Sequence, residues 1–269
     1  MSTSRGYALV TGAGQGIGRA IALELAREGF GLVVTARHAE ALADVCREAG
    51  ALNGGRAHAV AVDLLSPGAV DTLVAAVERQ AQPLQVLVNN AGQGLWGLFD
   101  TLTLEEQHRM MRLNMDLPVM LTHRLLPGMK RQPQAYVLNI ASMVAYHALA
   151  SMAVYSGSKA FVLRWSRSLR LELATTGVKV TCVCPGSVIT GFTERAGMQA
   201  MDDLAQKFGT PPEPVAKEAV RAMLRGTAEV VPGLMNRITV GLQGLLPGAL
   251  IERIASGIYL KRLPRKGAS

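Results

Sequence analysis

Short apolar runs alternate along this chain with longer stretches in which apolar residues recur every three or four positions. The runs at 7–10, 32–35, 57–62, 86–88, 135–140 and 178–183 are bounded by polar or glycine-containing segments and read as buried strands. Ile17, Ile21 and Leu25 mark one face of a helix after the first run, and Phe161, Trp165 and Leu169 mark another before the last. Alternating strands and helices predict an α/β fold. The expected form is a Rossmann-like, doubly wound parallel sheet with helices on both faces, since parallel neighbours need a crossover that a helix supplies. No linker, repeat or low-complexity stretch interrupts the sequence, so residues 1–269 are expected to form a single domain.

Beyond residue 183 the pattern loosens. Residues 187–214 mix Gly, Thr, Pro and short apolar groups ahead of a helical pattern at 215–225. They leave a strand end of the kind where open α/β sheets bind ligands, and a flexible substrate lid is expected there. Residues 232–269 form an apolar C-terminal extension broken by Gly and Pro, for which the pattern specifies no place.

Composition narrows the function classes. Hydrophobic residues make up 49% of the chain and aromatics only 4%, so Ala, Val, Leu and Gly must fill a core of close-packed helices on a sheet. The cysteines are Cys46, Cys182 and Cys184, an odd set that suits a reducing compartment better than a disulfide scaffold. Cys182 and Cys184 share one face of a strand and read as small buried side chains. No further Cys or His cluster completes a metal site, and no metal is expected. A strand starting by residue 7 leaves no room for a signal peptide. The uncharged stretch 238–251, with Gln243 and Pro247, is shorter than the ~20 residues of a membrane span, so a cytoplasmic location is expected. The net charge of +8 is scattered, apart from Arg253, Lys261, Arg262, Arg265 and Lys266 near the end. No nucleic-acid partner is expected, and phosphate-bearing small ligands are favoured. Peripheral membrane contact through the tail stays open as a lesser alternative.

Two places carry candidate chemistry. The first strand runs into Thr11-Gly-Ala-Gly-Gln-Gly-Ile-Gly18 and then a helix. Gly12, Gly16 and Gly18 permit a tight turn that lets main-chain N–H groups approach a pyrophosphate at the helix N-terminus. The spacing is Gly-x-x-x-Gly-x-Gly, with Ile17 where the commoner pattern wants Gly or Ala; the bland alternative is a turn without a ligand. Dinucleotide sites place a carboxylate at the end of the second strand for the ribose 2′-hydroxyl. Here no acid precedes Glu40, and Arg37 offers a planar cation suited to a 2′-phosphate. The expected cofactor is therefore NADP(H), unless Arg37 is an ordinary surface arginine.

The second place is Tyr155-Ser-Gly-Ser-Lys159, with Ser142 and Asn114 upstream. Tyr and Lys four apart share a helix face. A phenol has a pKa of about 10; a nearby ammonium that lowers it by ~3 units supplies roughly 4 kcal/mol. A hydroxyl such as Ser142 holds a substrate oxygen beside the tyrosine. Pro118 has no N–H for the carbonyl of Asn114, which is expected to hold a water linking it to Lys159 as a proton path. Singly, each of these residues has an ordinary structural reading, and their joint occurrence with the glycine-rich turn makes the case.

The order of these pieces resembles the short-chain dehydrogenase/reductase family over residues 7–231. The matching pieces are the glycine-rich turn, Asp63, Asn89-Asn-Ala-Gly92, Asn114, Ser142, Tyr155-x-x-x-Lys159 and Pro185-Gly-Ser-Val-Ile-Thr190. The resemblance implies that Tyr155 is the general acid in reduction. Lys159 would lower its pKa and bind the nicotinamide ribose, Ser142 polarise the carbonyl, and Asn114 hold the relay water. It implies that Asp63 meets the adenine, Asn90 the adenosine ribose, and Val188 and Thr190 the carboxamide. The cofactor would also be lined by Gly12, Gly14, Gln15, Gly16, Ile17, Gly18, Ala91, Gly92, Pro185 and Gly186. Bland readings of Asp63 as a loop group and Thr190 as a helix cap stand beside these. Two departures matter. Gln15 stands where many members carry a basic residue or Ser. The terminal Val230-Val-Pro-Gly differs from the tetrameric acyl-carrier-protein reductases, and the tail is similar to that of broad ketoacyl and hydroxysteroid reductases.

The expected function is reduction of an apolar ketone, such as a 3-oxoacyl thioester or steroid-like ketone, by a homodimer. Phe192, Met198, Met201 and Leu204 of the lid motivate the apolar substrate. The alternative is a non-catalytic NADP-binding sensor or scaffold, which has no need of the complete Tyr, Lys, Ser and Asn set.

Overall fold

The structure is a computed structural model describing residues 5–243 and 247–263; the side chains of residues 204, 205 and 243 lie outside that description. The elements run β1 (Tyr7–Thr11), α1 (Gly16–Arg27), β2 (Gly31–Ala36), α2 (Ala39–Asn53), β3 (Ala57–Ala61), α3 (Ala69–Glu78) and β4 (Leu84–Asn89). Next come α4 (Leu104–Met111), a π-helical turn (Arg112–Asp116), α5 (Leu117–Lys130), β5 (Ala135–Ile140), a 3-10 turn (Met143–Tyr146), α6 (Ala153–Glu172) and β6 (Val178–Val183). The chain finishes with α7 (Phe192–Arg195), α8 (Asp202–Phe208), α9 (Pro212–Leu224), β7 (Glu229–Val230), α10 (Leu234–Gln243) and α11 (Gly248–Lys261).

The strands form one parallel sheet ordered β3-β2-β1-β4-β5-β6-β7. Strand order reverses between β1 and β4, and that switch leaves a crevice at their carboxyl ends. Central strands are mostly apolar on both faces because both are covered, with buried Asn89 and Asn139 as polar exceptions on β4 and β5. Val10, Val34 and Val88 face Ile21, Leu25 and Val220 of α1 and α9. Leu9, Val33 and Leu87 face Leu73, Leu121 and Leu169 of α3, α5 and α6.

Five details depart from the sequence pattern. The run at 57–62 is an edge strand with His58, Ala59 and Ala61 exposed, not a buried one. A seventh strand, β7, escaped the pattern because it is two residues long and begins with Glu229. The helix after the lid starts at Pro212, before the expected 215, since proline is tolerated in a first turn. On α6 the buried face runs through Tyr155, Lys159, Val162, Ser166 and Leu169; Phe161 is exposed and stacks on Trp165. Polar residues at core positions had hidden that face. The C-terminal extension, unplaced by its sequence, folds into α10 and α11.

α11 docks beside the crevice by hydrogen bonds and apolar contact. The N–H of Ala148 donates to Glu252 and that of Ala150 to the Ser256 hydroxyl, while Ala255, Tyr259 and Leu263 pack inward. Its opposite side exposes Leu250, Ile254 and Ile258. Among the described residues no helix is long and apolar enough to cross a membrane. Arg265 and Lys266 of the basic cluster lie outside the described residues.

Candidate active site

The glycine-rich turn is held by side chains from the neighbouring strand. Gly12 adopts a φ of +65°, which an L side chain rarely takes. The Asn90 amide donates to the carbonyls of Thr11 (2.9 Å) and Gly12 (3.1 Å). Thr11 Oγ1 accepts from the backbone N–H groups of Asn90 and Ala91, both at 3.0 Å, and donates to the carbonyl of Val88. Thr11 is a residue whose part the motif alone did not show; its signal was its place at the strand end. At Gly18 a methyl group would lie 2.3 Å from both Asn90 Nδ2 and the Gly12 carbonyl, so α1 packs directly on its own turn. Gly14 sits against Ala36 and Ala41, Gln15 caps α1 in an extended conformation, and Ile17 packs on the core.

Around this turn the remaining sequence-marked residues take different places. Arg37 is exposed just past β2 and forms no ion pair among the described residues. Asp63 accepts from the N–H of Leu65 and pairs with Arg109, and these bonds hold its carboxyl below the usual range. Thr190 lies on Gly16 and its hydroxyl accepts from the N–H of Phe192 at 3.3 Å, so it also serves locally as a cap. Val188 bridges to Thr210, the Pro185 carbonyl accepts from Met143, and Gly186 is pressed against Asn236.

Asn114 lies in the π-helical turn, and Pro118 sits in the first turn of α5 that follows. A π turn is a local widening that often marks functional sites. The buried Asn114 amide donates to the Gln93 carbonyl (2.9 Å) and to Ser158 Oγ (3.0 Å), and its Oδ1 accepts from the N–H of Gln93 (2.9 Å). Ser158 in turn donates to the Tyr155 carbonyl. Gln93 and Ser158 thus join the site through bonds that no motif spacing announces. Gly92 lies where a methyl would approach Asn114 Oδ1 and Lys159 Nζ at 3.2 and 3.4 Å.

Tyr155 and Lys159 are both buried, and Ser142 is within hydrogen-bonding reach of the Tyr155 side chain. Lys159 Nζ donates to the Ile140 carbonyl at 3.0 Å and lies 5.9 Å from the centre of the tyrosine ring. Burial pulls Lys159 down to about 8, with Cys182 and Cys184 nearby opposing it. Burial pushes Tyr155 upward, against the Ser142 hydrogen bond and assisted by Tyr259. Spacing alone predicts a phenol lowered by the lysine; here burial raises it instead. Desolvation outweighs a cation that points to a carbonyl rather than to the phenol oxygen.

The reason for that burial is an apolar enclosure. Leu95, Trp96, Met110, Leu149, Met152, Met198 and Met201 cluster with Tyr155, and Phe192, Tyr259 and Leu263 pack against them. The Phe192 ring lies 5.7 Å from that of Tyr155. Ser151, just before α6, has a φ of +67° and receives the Trp96 indole hydrogen bond, a strained non-glycine conformation beside the site. Met198 and Met201 are buried in the cluster around Tyr155; the side chain of Leu204 lies outside the described residues.

Known proteins resemble this chain in sequence and in fold. The ketoacyl reductase HetN of Nostoc sp. is 35% identical over 88% of this chain and 82% of its own length. A short-chain dehydrogenase from Streptomyces avermitilis superposes with a TM-score of 0.77 at 30% identity, covering 91% of this chain and 94% of its own. A short-chain dehydrogenase from Sphingobium yanoikuyae in complex with NADPH gives 0.78 at 26% identity over 98% of this chain and 99% of its own. The family model for short chain dehydrogenase matches residues 6–200. On that match this chain belongs to the short-chain dehydrogenase family, and it is an oxidoreductase acting on CH–OH and carbonyl groups.

Proposed function

We propose that the chain is an NADPH-dependent carbonyl reductase that takes an apolar ketone, with 3-oxoacyl thioesters and steroid-like fused-ring ketones as its substrate classes. The observation that carries the substrate class is the enclosure of Tyr155 by leucine, methionine and aromatic side chains. Gln107, a polar residue at the edge of the small cavity beside Tyr155, already donates its amide to the Phe99 and Leu102 carbonyls. A polar substrate would leave its own groups unpaired there. The likeness to a ketoacyl reductase supports the same class.

The chain's residues fit a dinucleotide. Gly12, Gly16 and Gly18 of the turn leave no room for a Cβ, the turn ends on the N-terminus of α1, and Arg37 stands at the end of β2 where an acid would select the unphosphorylated cofactor. The neighbour holding NADPH supports the phosphorylated form. When bound, NADPH supplies the hydride. Tyr155 Oη gives the proton to the carbonyl oxygen, and burial suits it to that role by keeping the phenol protonated. Ser142 holds the same oxygen through its hydroxyl. The Lys159 ammonium offsets the phenolate left behind, and the Asn114 carbonyl, which Pro118 cannot meet, holds the water that returns the proton. The chain is read as one catalytic domain over 1–269 and as a cytoplasmic homodimer. Phe161 stacked on Trp165 at the surface of α6 supports pairing through that helix; sedimentation as a monomer rejects it.

The test is NADPH oxidation by wild type and Tyr155→Phe with long 3-oxoacyl thioesters, steroid ketones and small diketones. Turnover of an apolar ketone is expected, lost by at least about a thousandfold in the variant with NADPH binding retained. Turnover of small polar ketones alone rejects the substrate class. A sensor keeps its function in both proteins.

A further inference from the structure

The sequence left one question at the cofactor site. Gln15 stands where a second cation is common, so Arg37 alone would face a 2′-phosphate. The fold brings another arginine to that place from a distant part of the chain. Residues 190–195 lie directly on the glycine-rich turn: Thr190 packs against Gly16, and a methyl on Gly191 would come within 2.7 Å of Arg195 Nη1 and 3.9 Å of Gln15 Oε1. The Arg195 guanidinium therefore folds back across Gly191 beside Gln15, the residue that caps α1. Gly14 touches Ala36, the last residue of β2, and the next residue is Arg37. Gln15, Arg37 and Arg195 converge at the adenosine end of the crevice.

The charges there are unbalanced. Among the described residues neither Arg37 nor Arg195 forms an ion pair, and the nearby Asp63 is engaged with Arg109. Burial, and after it the Arg37 charge, holds Arg195 below the ordinary arginine range, with Glu194 opposing. Two guanidiniums near enough for one charge to act on the other, with no acid shared between them among the described residues, suit an anion carrying about two charges, with oxygens enough for both forks.

We propose that Arg195, carried on α7, is a second arginine on the cofactor's 2′-phosphate, so that NADPH, more than NADH, holds residues 190–195 on the glycine-rich turn. The inference rests on the NADPH reading above and adds regulation of lid closure to it. A ligand shifts a lid only through contacts it makes better in one state, and this contact exists only for the phosphorylated cofactor. By reciprocity, a closed lid also tightens NADPH.

Calorimetric titration of wild type, Arg195→Gln, Arg195→Lys and Arg37→Gln with NADPH, NADH, adenosine 2′,5′-bisphosphate and 5′-AMP tests the assignment. Chymotrypsin cleavage within 187–214 is followed alongside. Arg195→Gln is expected to weaken NADPH and the bisphosphate about tenfold while leaving NADH and 5′-AMP unchanged, with partial recovery in Arg195→Lys. NADPH should slow cleavage of the wild-type lid more than NADH does, and the difference should vanish in Arg195→Gln. Equal weakening of both cofactors places the arginine on the pyrophosphate and overturns the proposal, as does no weakening at all. In either case, discrimination retained by wild type and lost in Arg37→Gln leaves the NADPH reading standing. A wild type that binds NADH as tightly as NADPH removes that reading, and the proposal falls with it.

Discussion

The two walls of the crevice are built by different forces. The glycine-rich turn is fixed by directional bonds: Thr11 and Asn90 between them tie three backbone carbonyls and two N–H groups across β1 and β4. The opposite wall, α7 and α11 over Tyr155, is held by methionine, phenylalanine and leucine contacts and a few surface bonds, such as Arg262 with Asp203. Hydrogen bonds to backbone accept one geometry, whereas apolar contacts with flexible methionines accept many. The bonds of the cofactor wall specify one geometry more narrowly than the apolar contacts over Tyr155 do.

The contrast predicts a graded series of effects. Thr11→Val keeps the shape and removes the acceptor of two backbone N–H groups. A stability loss of about 2–4 kcal/mol in urea unfolding is expected, together with weaker NADPH binding. A loss under about 0.5 kcal/mol would mean that the turn does not depend on these bonds.

Lys159 sits between the walls and gives an effect of intermediate size. With a folded value of about 8, its charge is complete below that pH and lost above it. The kcat/KM for reduction is expected to hold at lower pH and fall about tenfold per unit as pH rises beyond 8. Lys159→Arg, charged throughout, should remove the fall. Stability moves the other way. The unfolded chain, with an ordinary lysine at 10.5, binds this proton more tightly than the folded protein, so this group's contribution to stability rises with pH between about 8 and 10.5. A pH–rate profile flat through pH 9 contradicts the assignment.

The smallest effect on stability belongs to the lid. Phe192→Ala removes a ring from Tyr155 without orphaning any hydrogen bond. Global stability is expected to move by less than about 1 kcal/mol, because a surface lid can collapse or open around the gap. KM for bulky ketones should change several-fold, and NADPH affinity should fall less than it does in Thr11→Val. If the stability loss matches that of Thr11→Val, the lid is as rigid as the turn and the contrast fails.

The buried polar ladder behind the site shows why part of it stayed illegible in the sequence. Asn89 donates to Thr122 and Asn139, and Asn139 donates to Ser166, linking β4, α5, β5 and α6 in one chain of side-chain bonds. No spacing rule connects residues 33 and 50 positions apart. Ser166 and Lys159, polar residues on the buried face of α6, also disguise that face, so the apolar pattern points Phe161 inward although it is exposed. At Tyr155 the pairing with Lys159 was legible, but the direction of its pKa was not. That direction is set first by burial, to which the Phe192 ring from α7 contributes, and then by Tyr259 from α11.

By itself the sequence determined the alternation of strands and helices, the glycine-rich turn, the tyrosine and lysine on one helix face, and Arg37 rather than an acid at the end of β2. All of these rest on short-range sterics: a glycine where no Cβ fits, and residues four apart on a helix. Tertiary structure alone decided that α11 roofs the site from about a hundred residues away, that Arg195 joins Arg37, and that Tyr155 and Lys159 are desolvated together. Burial and charge proximity are sums over everything packed nearby, and no local spacing encodes which distant segments those will be.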